Sequence, residues 1–141
     1  MTTKKYTISD LLDVARKGDV PPPCDSTLQV YADYAEDGVA KGRWEVAPLF
    51  INGNGVPMGG FLSAAADIMM AYAIASLLND QQSFASINLQ TTFHRPVFEG
   101  VVEIEAKVER LGKSVAYLVA ELTQDGKKVA SSVSSVMIMN G

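Results

Sequence analysis

The stretch from residue 61 to residue 78 limits what this chain can become more than any other, because nearly every position in it is apolar or alanine. A surface helix carries a polar stripe at a period of 3.6 residues; a helix that is apolar almost all round has to be enclosed by something. Its length is at the lower edge of what spans a bilayer. Asp67 stands in its middle, alanine supplies much of its apolar character, and the flanking segments alternate as amphipathic strands do. Those three features predict a buried core helix and argue against a membrane span.

The flanking segments supply the enclosure. Residues 28–35 and 39–47 read as strands joined at Glu36-Asp37-Gly38, where Asp-Gly is a hairpin signal. Residues 52–60 form a loop rich in Gly and Asn, and Asn79-Asp80 closes the long helix. A strand over 86–93 puts Ile87, Leu89, Thr91 and Phe93 on one face. Val102, Ile104, Ala106 and Val108 then alternate with Glu103, Glu105, Lys107 and Glu109, the period-two pattern of a half-exposed strand. Leu111-Gly112-Lys113 turns the chain, and strands over 114–123 and 128–139 follow, separated by a second Asp-Gly at Asp125-Gly126. Upstream, residues 8–17 fit a short amphipathic helix with Ser9 and Asp10 as capping candidates and Gly18 as its stop, and Pro21-Pro22-Pro23 fits an extended connector. The expectation is α+β: one domain over 1–141, with 1–26 as N-terminal helix and Pro-rich connector, and a curved antiparallel sheet of about six strands wrapped round a long helix. Such a sheet has two edges to protect, so pairing of subunits is expected.

Composition excludes some functions. With 48% hydrophobic and 20% charged residues the chain has no signature of disorder, and a net charge of −4 speaks against general binding to nucleic acid or anionic lipid. Cys24 is the single cysteine, so no intrachain disulfide and no cysteine-based metal site is expected. Residues 1–10 carry charges and no apolar run; no secretory signal is read there, and a cytoplasmic location is expected.

Two features carry chemistry. Asp67 is costly to bury among Ala64, Ala65, Ala66, Ile68, Met69 and Met70 unless it is paired. It is either a structural partner of Arg43 or Arg95 at a polar interface, or a general base whose pKa burial raises. Met58-Gly59-Gly60 at the helix entrance lets a ligand approach backbone N–H groups at the positive end of a helix, the construction of an oxyanion hole, though a tight loop needs glycine too. Asn52 is placed to hold a water or a carbonyl, and Asn52-Gly53 equally reads as a turn. His94 is the only histidine, which rules out histidine-clustered metal sites, and it reads as a surface or interface side chain. Trp44 reads as packing at the sheet surface or an interface, and the serines of 131–135 as a small-residue strand at an interface.

The run Asn52-Gly53-Asn54-Gly55-Val56-Pro57-Met58-Gly59-Gly60, followed seven positions later by Asp67, resembles the hot-dog thioesterases of the phenylacetate-degradation, 4-hydroxybenzoyl-CoA thioesterase-like kind. Ser86-Ile87-Asn88-Leu89, Phe93-His94-Arg95-Pro96, Gly100, Gly112-Lys113-Ser114 and Asp125 to Ala130 fall where that family has similar residues, so the resemblance covers roughly 31–138. It implies a hot-dog fold with active sites between subunits, in dimers that often pair into tetramers. It also implies roles: Asp67 as general base or nucleophile, Gly59 and Gly60 as carbonyl-polarising donors, Asn52 positioning water or thioester, and Ser86 supplying a hydroxyl across the interface. Gly112, Lys113 and Ser114 match a turn that contacts CoA phosphates, with Arg95 contributing. Met58 occupies the place of the family's histidine and cannot donate a strong hydrogen bond, so a rate lower by about one to three orders of magnitude is expected. An apolar groove of Met58, Phe61, Leu62 and Met69 is expected to take an aryl or medium aliphatic acyl group. Hydrolysis of acyl-CoA, with CoA as part of the substrate and no cofactor or metal, is the leading reading. A non-catalytic acyl-CoA binder is the alternative. A dehydratase is weaker, since it needs a histidine near the helix and His94 lies on a strand.

Overall fold

In the computed structural model, residues 4–141 are described, and all their strands join one antiparallel sheet. The reading of residues 1–3 as part of a charged N-terminal stretch lies outside the described residues. Helix α1 (Ile8–Lys17) and helix α2 (Pro23–Leu28) lead into β1 (Val30–Glu36) and β2 (Val39–Val46). A short 3-10 turn (Pro48–Phe50) and a loop precede the long helix α3 (Gly59–Ala75). Then come β3 (Gln82–Ser86), β4 (Gln90–Phe93), β5 (Gly100–Leu111), β6 (Val115–Gln124) and β7 (Lys127–Asn140). The sheet order is β1-β2-β5-β6-β7-β3, with the short β4 also paired to β7. The sheet curls round α3: this is the hot-dog fold.

The enclosed helix behaves as its composition requires. Leu62, Ala65, Ala66, Met69, Met70, Tyr72, Ala73, Ile74 and Ala75 are buried, and the inward residues of β5 and β6 (Val102, Ile104, Ala106, Ala116, Leu118, Ala120, Leu122) close over them. Small residues let helix and sheet approach closely. At Gly42 a Cβ would lie 2.0 Å from the Tyr31 carbonyl oxygen and 2.5 Å from the Met69 methyl, beside a bulge in β1 between Ala32 and Tyr34. Both Asp-Gly hairpins form with positive φ at each residue: 50° and 81° at Asp37-Gly38, 52° and 78° at Asp125-Gly126.

Several boundaries differ from the sequence expectation, each for a local reason. Thr7 caps α1 in a capping box with Asp10, while Ser9 reaches across to Asp80 through its backbone N–H and its hydroxyl, both at 2.7 Å. Pro21 and Pro22 precede a helix that Pro23 opens at N1, so the proline run is only partly a connector. Helix α3 ends at Ala75 because the Ser76 hydroxyl donates to the Ala73 carbonyl and accepts the Gly38 N–H, turning the chain toward the hairpin. The strand expected over 86–93 is two strands. Ser86 pairs with Val136 and Gln90 with Val133, so one residue is extra on the β3–β4 side. At that break the Asn88 side chain accepts the Ser135 N–H (2.9 Å), while the Ser134 hydroxyl donates to the Asn88 carbonyl (2.7 Å). Trp44, expected at a surface, is fully buried and packs at 5.6 Å between ring centroids against Phe50.

Candidate functional site

Helix α3 presents Gly59, Ser63 and Asp67 four residues apart, hence along one stripe, and that stripe runs beside the β3–β4 edge. The Phe93 ring covers Gly59, where a Cβ would lie 2.8 Å from the ring tip. The Ser63 hydroxyl donates to Thr91 at 2.8 Å, and Thr91 is 2.8 Å from the buried Ser132 hydroxyl. Asp67 meets Ser86. Sequence reasoning had not linked Ser63 to this stripe, and nothing local marks it, because its partner lies on another strand.

Asp67 lines a hollow of about 320 Å³ together with Ser86, Phe84, Ile68, Tyr72 and, from the N-terminal segment, Cys24 and Asp25. Burial pushes its carboxyl above the usual carboxylate range, and the neighbouring Ser86 hydroxyl pulls it partway back. Neither Arg43 nor Arg95 pairs with it: Arg43 holds Asp33 and Glu45, and Arg95 donates to the Lys128 carbonyl at 2.7 Å. A proton acceptor with a raised pKa in a mostly apolar hollow can take a proton from water.

A second hollow, about 510 Å³, lies at the helix entrance, where Asn52, Gly59 and Leu62 face Phe93, His94 and Arg95. Met58 holds the N-cap position of α3 with no side-chain cap, so the N–H groups of Gly59 and Gly60 donate to no oxygen among the described residues. The Met58 N–H itself donates to the Phe50 carbonyl, and the half-exposed Met58 side chain lays its methyl where a Gly60 Cβ would meet it at 3.3 Å. The Asn52 side-chain oxygen accepts the Asn54 N–H at 2.9 Å, which is the turn-forming role, and its amide group is left to donate. His94 is 2.9 Å from the Ser131 hydroxyl.

The remaining candidates are dispersed. Phe61 packs edge-on against Phe50 at 5.0 Å, and Met69 is fully buried against Gly42, so the expected groove of Met58, Phe61, Leu62 and Met69 does not form as one surface. Gly112, Lys113 and Ser114 make the exposed turn between β5 and β6, closed by the Gly112 N–H donating to the Val115 carbonyl. They line neither hollow. The sequence reading missed Asp25, which is buried and accepts the Tyr72 hydroxyl at 2.5 Å.

A helix wrapped by a curled sheet, with free N–H donors at its entrance and a carboxylate on its flank, defines a class, and comparison with known proteins specifies it. Residues 54–131 match the profile of the thioesterase superfamily, and the chain belongs to that family. A phenylacetic acid degradation-related protein of Ralstonia eutropha is 30% identical over 94% of this chain and 99% of its own, with a TM-score of 0.83. The phenylacetic acid degradation protein PaaI of Thermus thermophilus is 26% identical over 82% and 97%, TM-score 0.76. The conserved protein PA5202 of Pseudomonas aeruginosa is 25% identical over 89% and 99%, TM-score 0.81. No curated protein matches in sequence. Among the described residues no helix is long and apolar enough to cross a membrane.

Proposed function

We propose that the protein hydrolyses acyl-CoA thioesters to the free acid and CoA, in the cytoplasm. The observation that carries this reading is Asp67: a carboxylate with a raised pKa, beside a hydroxyl, in an apolar hollow, on the central helix of a thioesterase-superfamily chain. In the proposed reaction Asp67 takes a proton from a water that attacks the thioester carbonyl. The carbonyl oxygen, becoming an oxyanion, is held by the N–H groups of Gly59 and Gly60. The tetrahedral intermediate collapses by breaking the C–S bond and expelling the CoA thiolate, which takes the proton that Asp67 accepted from water and so regenerates the carboxylate.

The reading gives these tasks to two copies of the chain. Asp67 is seven residues beyond Gly60, about 10 Å along the helix axis, whereas base and oxyanion donors must each lie about 3 Å from atoms of one reacting centre. In this proposal a second copy docks on the exposed β3–β4 edge, where Ile87, Leu89 and Phe93 are open to solvent, and the Asp67 of one chain then works with the glycines of the other. That supports a homodimer, alone or paired into a tetramer, with Lys113, Ser114 and Arg95 proposed to meet the CoA phosphates. Release of free thiol from aryl and aliphatic acyl-CoAs tests the function. Turnover of any of them above the uncatalysed rate supports it; binding of intact thioesters with no turnover replaces it with an acyl-CoA binder.

A further inference from the structure

Phe93 has no part in the proposed reaction, yet its ring lies against one of that reaction's donors. A Cβ built on Gly59 would stand 2.8 Å from the ring tip and 3.2 and 3.3 Å from the two ring carbons beside it. A helical Cα–Cβ bond tilts toward the helix N-terminus, the direction in which the free N–H groups of the first turn point. The ring therefore stands beside the Gly59 N–H, on the wall of the entrance hollow. A second contact fixes it there. Thr91, two residues earlier and so on the same face of β4, accepts the Ser63 hydroxyl and is hydrogen-bonded in turn to Ser132, its partner across the ladder to β7, which is 1% exposed. Gly59 and Ser63 are about 6 Å apart along α3, and Thr91 and Phe93 are about 6.8 Å apart along β4. The two spacings match, so the Ser63–Thr91 bond sets the place of the strand along the helix and with it the place of the ring.

We propose that Phe93 is a positioning residue whose ring keeps water off the Gly59 N–H, and that the hydroxyl chain Ser63–Thr91–Ser132 holds the ring in that place. This rests on the reading of Gly59 as an oxyanion donor. A hydrogen bond to a developing charge is stronger where water is excluded and the local dielectric is low. The Gly59 N–H donates to no oxygen among the described residues, so the ring is what stands between it and solvent on that side. Gly60 differs: a Cβ there would meet only the flexible Met58 methyl, at 3.3 Å, among the described residues. The shielding thus falls on one donor of the two. It also gives a reason for glycine at position 59, where a helix otherwise disfavours it: any side chain would push the ring away from the N–H it covers.

Water-exchange NMR on the isotope-labelled protein, with no substrate present, reads the shielding directly. In Phe93→Ala the Gly59 amide should exchange about tenfold faster than in wild type, with the Gly60 amide within about twofold of its wild-type rate. Thr91→Val keeps the shape of the side chain and loses the hydroxyl, so it should speed Gly59 in the same direction, whereas Thr91→Ser should not. An unchanged Gly59 rate in either Phe93→Ala or Thr91→Val overturns the proposal. An equal rise at Gly60 overturns it too, since the whole helix end has then loosened. Should Phe93→Ala not fold, Thr91→Val decides alone. With a thioester that the wild type turns over, Phe93→Ala should lower kcat by about tenfold and leave KM within about twofold, and Phe93→Leu should recover most of the loss. A change confined to KM overturns the proposal, because the ring then serves only to bind substrate. If no thioester is consumed, that failure belongs to the proposed hydrolysis, and the exchange rates decide the shielding by themselves.

Discussion

As the proposed base, Asp67 has to be ionised to accept a proton, so in this proposal its environment sets the acid limb of activity. Burial raises its pKa and the Ser86 hydroxyl opposes the rise; the limb should lie above the range of an exposed aspartate and move to still higher pH in Ser86→Ala, as kcat/KM against pH will show. The same raised pKa fixes the sign for stability. A carboxyl whose pKa is higher folded than unfolded costs stability as pH rises through the ordinary carboxylate range toward the raised value. Asp67→Asn should therefore melt above wild type at neutral pH, the gap closing as pH falls below that range. Met58→His restores a side-chain donor at the helix entrance and should raise kcat by about tenfold or more, read with any thioester the wild type turns over. Asp67 was legible in the sequence because a charge amid alanines and methionines stands out. Asp25 was not: three prolines beside it looked like a connector, and its meaning depends on Tyr72, 47 residues away.

At the scale of elements, the closeness of α3 to the sheet depends on Gly42. A methyl there meets the Tyr31 carbonyl and the Met69 side chain, so Gly42→Ala should lower stability by about 3 kcal/mol or more, measured by urea denaturation. The broken edge strand depends on Asn88, whose side-chain oxygen serves the Ser135 N–H that the missing ladder bond leaves free; Asn88→Ala should cost about 1–2 kcal/mol in the same experiment. The long helix, both hairpins and the alternation of β5 were readable because each follows from local periodicity or turn chemistry. The β3–β4 break escaped because Ile87, Leu89, Thr91 and Phe93 keep an unbroken alternation, while the extra residue is visible only in register against β7. Trp44 was misplaced for a related reason: a single strand does not say which of its faces the helix will cover.

At the scale of the whole molecule, one chain is incomplete for the proposed reaction. The proposed oxyanion donors, Gly59 and Gly60, and the proposed base, Asp67, lie at different stations along α3, and the nearby β3–β4 edge exposes Ile87, Leu89 and Phe93. Light scattering should find a dimer or larger assembly, and Ile87→Lys with Leu89→Lys should yield monomers without hydrolytic activity. The central claim is that Asp67 activates water against an acyl-CoA, and its most direct test is single-turnover hydrolysis of the best substrate by wild type and Asp67→Asn side by side. The expected result is a loss of about a hundredfold or more in the chemical step with the thioester still bound. Equal rates in the two proteins would contradict that claim.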